Sequence, residues 1–285
     1  VSFLGLITAL TVMVGWKIES ATIVQIVPGW APMQASTAIG FLFYSAALLL
    51  ISTNGKWSNS WAAVTLSTAV LLWGTINLSQ HLLQIDLGID RLLGVPFLTD
   101  RSPAPGRMSL LTSFLFVVSG TALLVSILGR SMKLCGLLGI VLAAFLCGLS
   151  GSLIFTYIAD IPPVIWLGKR YSEVAIHTSI GFFALSLGFI SHQFYCGLAA
   201  KTGKTSWIWI PVFCSTFFAV ITIYMGLATE AQENRTNLAS ERAKAFSNLL
   251  SARTHEMITA LYRMADRVGS IEGYQREDWI PDAEN

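Results

Sequence analysis

The sequence predicts an all-α, polytopic membrane bundle of about seven transmembrane helices, followed by a long extramembrane C-terminal helix. Hydrophobic residues make up 54% of the 285 residues and charged residues only 12%, which is too little charge for the surface of a soluble domain. Seven apolar runs approach the roughly 20 residues that a helix needs to cross a bilayer. These runs are 1–16, 36–52, 61–79, 109–129, 134–158, 174–198 and 207–228.

A sequence block recurs three times, each time at the start of an apolar run. In each copy an apolar residue precedes a Thr by four positions, a small residue follows the Thr, and a Phe lies four positions after it. The copies are Met33 to Phe41, Met108 to Phe116 and Val174 to Phe182. Successive Thr residues are 75 and 66 positions apart, which is enough for two spans and a loop. We therefore predict three helical-hairpin repeats, at about 1–60, 61–133 and 134–205, plus a single helix at 207–228.

The loops alternate in length and charge. Those after the second, fourth and sixth runs are short and carry Lys or Arg without acids, whereas the others are longer and of mixed charge. The positive-inside rule then puts the chain start and the short loops in the cytoplasm, and the long loops and the tail outside. Within the second long loop, apolar residues at helical spacing over 82–93 predict a short interfacial helix.

The repeated Thr has two interpretations. Its hydroxyl can cap or back-bond the first turn of a helix, or three equivalent helix starts can converge on a pocket at the outer membrane face. For the second interpretation we expect the pocket to take a small apolar ligand. Its candidate lining residues are Trp30, Thr37, Asp86, Asp90, Arg107, Thr112, Trp166, His177 and Thr178.

Other ligand chemistries have weaker signals. His81 and His177 fall at the same predicted interface, where two imidazoles can hold haem or a metal ion, but interfacial histidines are more often structural, and we expect no cofactor. All four Cys lie in apolar runs, as small buried thiols do. No basic patch indicates nucleic acid, and no charged residue lies in the middle of a predicted span, which disfavours an ion pump.

The tail, residues 229–285, differs from the rest of the chain. It holds seven of the 18 Lys and Arg residues, and no Pro or Gly interrupts 231–268. An apolar stripe at helical spacing runs along it, at Phe246, Leu250, Met257, Leu261, Met264 and Val268. This stripe has to be covered, so we expect a homodimer through this helix, a domain that follows, or a larger membrane complex. We also expect sequence beyond Asn285 to complete a domain.

Two segments carry a family resemblance. The Gly106-Arg107-Met108 block, with Asp90-Arg91-Leu92-Leu93 upstream, and the block around His177 resemble the MASE-type membrane sensor regions of bacterial histidine kinases and diguanylate cyclases. The tail from Leu261 to Arg267 and from Trp279 to Ala283 is similar to the opening of an extracytoplasmic CHASE-like domain. The resemblance implies a bacterial inner-membrane location and an attached signalling enzyme, with no catalytic domain in this chain.

These observations lead to one principal expectation and two alternatives. The principal one is a sensory input module that passes a ligand or membrane-state signal to an attached histidine kinase or diguanylate cyclase. The second is a non-catalytic accessory subunit of a larger membrane complex. A transporter or membrane enzyme ranks last, because the sequence contains no pattern typical of a nucleophile and base or of metal ligands.

Overall fold

The computed structural model describes residues 1–27, 30–53, 61–91, 97–98, 106–128, 133–158, 174–194 and 209–269. Within these residues the protein is entirely helical and has no strand, so the predicted all-α class is confirmed. The helices are α1 Ser2–Lys17, α2 Ala21–Val24, α3 Ala35–Ser52, α4 Trp61–Leu83, α5 Leu110–Leu128, α6 Lys133–Ile158, α7 Ile176–Gln193 and α8 Trp209–Gly269, together with a 3-10 helix, Ile89–Arg91.

Each predicted apolar run overlaps a helix, although Ser109, Val174 and Ala175 lie in predicted runs and precede the helices there. In the described part of the chain, four helices are long and apolar enough to cross a membrane, namely Ala35–Ser52, Trp61–Leu83, Leu110–Leu128 and Leu134–Ile158. α1 is a shorter apolar helix. These properties are consistent with a membrane protein, because a helix satisfies its own backbone hydrogen bonds where no water is present.

Six of the helices form three antiparallel pairs around a common centre. α1 packs on α3, α4 on α5 and α6 on α7, while α3, α5 and α7 contact one another. Each outer helix also touches the inner helix of the preceding pair: α4 touches α3, α6 touches α5, and α1 touches α7. The three pairs therefore close into a ring with approximate threefold symmetry, in which α3, α5 and α7 surround the axis.

The chain divides into two compact units, Val1–Leu227 and Ala228–Asn285. The first contains the ring, with a continuous buried core of apolar residues. The second, over its described residues, consists of the continuation of α8. The sequence placed the corresponding boundary after residue 228, where the composition changes.

The predicted interfacial helix at 82–93 does not form over its described residues. α4 ends at Leu83, because Gln84 adopts a left-handed backbone (φ 55°) and its side-chain Nε2 donates to the His81 carbonyl oxygen at 2.6 Å. Residues 85–87 are irregular, and only the 3-10 helix follows. The apolar side chains of this segment are exposed instead, at Leu82, Leu83, Ile85 and Leu87. Residues 92 and 93 lie outside the described residues.

Two glycines let α4 and α5 approach closely. A Cβ at Gly120 would lie 2.5 Å from the Leu71 backbone nitrogen, and a Cβ at Gly74 would lie 2.7 Å from that of Val117. Backbone cannot rotate out of the way as a side chain can, so we expect Gly120→Ala to force the two helices apart. We expect a loss of about 1–3 kcal/mol in the free energy of unfolding, measured by reversible unfolding in detergent micelles.

The matched control is Gly136→Ala on α6, where no atom lies within 4 Å of the added methyl group. This variant should be neutral or slightly more stable, because alanine favours helix over glycine. Equal stability of the two variants would contradict the close approach of α4 and α5.

Candidate functional site

The three repeat blocks occupy equivalent positions in the ring. The inner helices α3, α5 and α7 each begin two residues before the block Thr, at Ala35, Leu110 and Ile176. The first helical hydrogen bond is also equivalent, since the amide just after each Thr donates to the N-cap carbonyl: Ala38 to Gln34, Ser113 to Ser109 and Ser179 to Ala175. All three Thr side chains are buried.

The first residue of each block is fixed by a hydrogen bond from the long helix that precedes it in its pair. In every case its carbonyl oxygen accepts a hydrogen bond from an aromatic side chain in the last turn of that helix. The bonds are Trp16 Nε1 to Met33 (2.7 Å), His81 Nε2 to Met108 (2.7 Å) and Tyr157 Oη to Val174 (2.5 Å). Because a carbonyl only accepts, His81 carries its proton on Nε2 here. Three chemically different donors therefore fix the equivalent segments that lead into α3, α5 and α7.

The block Phe residues meet on the axis. The ring centroids of Phe41, Phe116 and Phe182 are 4.7 to 5.3 Å apart pairwise, in tilted or edge-to-face contacts. Such separations are in the favourable range for aromatic pairs. All three side chains are buried. We call this set the phenylalanine triangle.

Small residues make room for the triangle. A Cβ at Gly40 would lie 2.5 Å from the Phe116 ring, and one at Gly181 would lie 2.8 Å from the Phe41 ring. Each glycine immediately precedes a block Phe, so one block supplies the space that the Phe of the next block fills. One turn further along the inner helices, Tyr44, Ser119 and Leu185 are also buried. The axis is filled by packed side chains at these levels.

An ion pair lies beside the second block. Arg107 Nε donates to Asp90 Oδ2 at 2.9 Å, and the side chains of Arg107 and Asp90 are only 14% and 6% exposed. Asp86, 58% exposed, lies 3.4 Å from the same guanidinium. Gln80 Nε2 is 3.5 Å from Asp90 Oδ1, and Gln80 Oε1 accepts the Leu87 amide at 2.9 Å. This polar network ties the end of α4, the 3-10 helix and the entry to α5 together.

The Thr112 start is capped and joined to its neighbour. Ser109 Oγ accepts the Thr112 amide at 3.1 Å and donates to Thr112 Oγ1 at 2.7 Å, so the side chain that caps this helix start is Ser109 and not the repeated Thr112. Ser36 Oγ donates to the Gly106 carbonyl oxygen at 3.4 Å, across to the loop that precedes α5. Gly106 has φ 83°, a conformation that favours glycine. The start of α3 and the entry to α5 therefore lie at the same end of the bundle.

The third start is different, because it carries the buried side chain of His177. The main chain of Val24 lies beside its ring, yet neither ring nitrogen reaches hydrogen-bond geometry with any partner in the described part of the chain. Gln34 Oε1, at the N-cap of α3, is buried and unpartnered in the same sense. The Val24 carbonyl beside the His177 ring also accepts the amide of Met33, the residue before Gln34, at 2.9 Å.

The predicted site residues thus fall into separate contacts. Asp86, Asp90 and Arg107 form one network, whereas Trp30 packs on Tyr157 with ring centroids 4.9 Å apart. Thr37, Thr112 and Thr178 are packed in the core at one end of the ring. Trp166 lies outside the described residues. Trp16, Gln80 and Tyr157 are not among the predicted site residues, although Trp16 and Tyr157 both precede their acceptors by 17 positions.

The haem or metal hypothesis rests on His81 and His177. His81 Nε2 donates to the Met108 carbonyl oxygen, while neither nitrogen of His177 has a hydrogen-bond partner within the described residues. Among the described residues, no group of three or more His, Cys, Asp or Glu side chains is close enough to hold a metal ion. A comparison of the chain with protein-family models, curated proteins and solved structures finds no match.

Proposed function

We propose that the chain is a membrane-embedded sensory input module that passes a ligand or membrane-state signal to an attached histidine kinase or diguanylate cyclase. The observation that carries the proposal is the extent of α8. This single helix begins in the first unit, Val1–Leu227, and extends as far as Gly269 in the second unit, Ala228–Asn285. A continuous helix is a stiff element, so a shift or rotation of its apolar part is transmitted along its length.

The proposal includes seven membrane spans in a bacterial inner membrane, with the chain start in the cytoplasm and the tail outside. α1 and α7 hold ring positions equivalent to those of helices that are long and apolar enough to span. We infer that they cross the same bilayer, together with the apolar start of α8. The CHASE-like and MASE-type resemblances belong to this proposal, and so does the absence of a catalytic domain from this chain.

The switch needs an element with two arrangements that a ligand binds unequally. We place it at the end of the ring that carries the three block Thr residues. Polar groups at this end include the Asp90 and Arg107 pair, and also His177 and Gln34, whose buried polar atoms have no hydrogen-bond partner among the described residues. A small apolar or amphipathic ligand with one polar group would find both apolar cover and hydrogen-bond partners at this end. No resident cofactor is part of the proposal.

The test replaces Thr112 and Thr178 separately by Val. Each substitution keeps the shape of the side chain but removes a buried hydroxyl, so we expect membrane insertion to be unchanged and the response of the attached enzyme to weaken several-fold. The measurement is autophosphorylation or cyclic dinucleotide synthesis by the full-length gene product in native membranes. The control is Thr75→Val, because Thr75 is exposed and bonds only within its own helix, to Leu71.

An unchanged response in both block variants would refute the proposed switch. A full-length gene product that lacks any kinase or cyclase domain would instead favour the accessory-subunit alternative, in which the same bundle packs beside a larger membrane complex.

A further inference from the structure

The second unit, Ala228–Asn285, presents an exposed apolar face on α8. Leu250, Met257 and Leu261 are 53%, 62% and 59% exposed. These side chains lie on one side of the helix, because successive members are seven and four residues apart. A face of this kind in water favours association with another surface.

The spacing of the face matches a partner helix. Leu250, Met257 and Met264 recur every seven residues, and Leu261 falls four after Met257 and three before Met264. A strict seven-residue repeat keeps an apolar seam facing a second helix that supercoils around the first. Continuing the two seam positions backward gives Ala243, Ser247 and Thr254, which are small or uncharged. The seam thus runs from residue 243 to residue 264.

The charges around the seam are compatible with an identical helix. No seam position from 243 to 264 is charged, so a second copy in register places neutral residues opposite neutral residues. In a parallel pair, the residue just before Ser247, Thr254 or Leu261 on one helix faces the residue five positions further along the partner helix. Arg253 then faces Ile258, and Ala260 faces Ala265, so no like charges meet. An antiparallel pair centred near this point would bring two Arg253 side chains together.

A membrane also favours the parallel arrangement. Copies of one chain insert with the same orientation, so their α8 helices leave the bilayer in the same direction. Confinement to a surface raises the effective concentration of one copy around another.

We propose that residues 243–264 of α8 pair with the same residues of a second copy in a parallel, in-register, two-stranded coiled coil. The pairing does not depend on the sensory function, because an accessory subunit with this helix would form it equally.

Disulfide cross-linking of the full chain in membranes tests the pairing. The variants Met257→Cys and Met264→Cys place single thiols on the seam, and Glu256→Cys and Arg263→Cys place them one residue away, off the seam. All four are made in a chain whose native cysteines are replaced by alanine. A disulfide needs Cα atoms within about 7 Å, so we expect the seam thiols to form covalent dimers about tenfold faster than their neighbours. Equal rates at all four positions, or no dimer at any, would overturn the proposal.

A second measurement does not depend on added cysteines. Leu261→Lys places a charge in the seam, and the control Tyr262→Lys places the same charge at an adjacent side chain that is 74% exposed and off the seam. We expect light scattering of the purified protein in detergent micelles to give a dimer for the unchanged chain and for Tyr262→Lys. Leu261→Lys should dissociate at least about tenfold more readily, since a charge in a coiled-coil seam is unfavourable. A monomeric unchanged chain, or equal dissociation of both variants, would contradict the coiled coil and indicate that another segment or partner covers the face.

Discussion

Replacement of Phe116 by alanine should destabilise the membrane unit by about 3–5 kcal/mol, because it leaves a cavity in place of one of the three rings of the phenylalanine triangle. The Phe116 ring contacts both other rings of the triangle, with centroids 5.3 Å from Phe41 and 4.8 Å from Phe182. It also fills the space above Gly40. The surrounding helices are joined into a ring, so they cannot easily collapse into the cavity. Reversible unfolding in detergent micelles measures the loss.

The control for this prediction is Phe155→Ala on α6, since Phe155 is 45% exposed and lies outside the triangle. We expect it to change stability by about 0.5 kcal/mol or less. Phe41→Ala should resemble Phe116→Ala, and the double variant should lose less than the sum of the two, because both substitutions open the same cavity. Full additivity would show that the two rings do not share a packing site, contrary to the structure.

The triplicated block was readable from the sequence, and the equivalent helix starts follow from it. The distance of two residues from each helix start to its Thr is the same in α3, α5 and α7 because the same residue types recur at the same spacing. The Phe at the fourth position after the Thr was also visible. Its position on the axis was not, because convergence of three rings depends on the closure of the ring by α1 and α7, which no local pattern encodes.

The donors to the block carbonyls illustrate a different limit. Trp16, His81 and Tyr157 do the same work with an indole, an imidazole and a phenol, and the second donor precedes its acceptor by 27 positions rather than 17. Equivalent geometry is reached here by different chemistry, so a search for repeated residues misses it. The long second loop supplies the extra positions, and its Asp90 and Arg107 form the ion pair.

The expected interfacial helix at 82–93 failed for a local reason. Its apolar periodicity is genuine, but Gln84 and Gly88 both adopt positive φ, and Asp86 accepts the Gly88 amide at 3.0 Å. Such turns interrupt the helical backbone whatever the pattern of apolar residues. Gly88 marks the break in the sequence, whereas Gln84 gives no such warning.

The loop network leads to the second large effect. Arg107→Gln should destabilise the protein by about 3–5 kcal/mol, because it leaves the buried Asp90 carboxylate with Gln80 as its remaining described partner, at 3.5 Å. Asp90→Asn should cost less, since Arg107 keeps the exposed Asp86 carboxylate at 3.4 Å. The relative stability losses of the two variants therefore show which charge depends more on its partner. Both are measured as shifts in the denaturant midpoint of the purified protein.

Two further variants separate the ion pair from its surroundings. Asp86→Asn removes a carboxylate that is 58% exposed, so it should change stability by less than about 1 kcal/mol. The double variant Asp90→Leu with Arg107→Leu removes both buried charges together and should recover part of the loss caused by Arg107→Gln, because no unpaired charge is left in the interior. A double variant less stable than Arg107→Gln would mean that the pair is needed for the geometry of the chain before α5. In that case the hydrogen bond from His81 to the Met108 carbonyl oxygen should also be weakened.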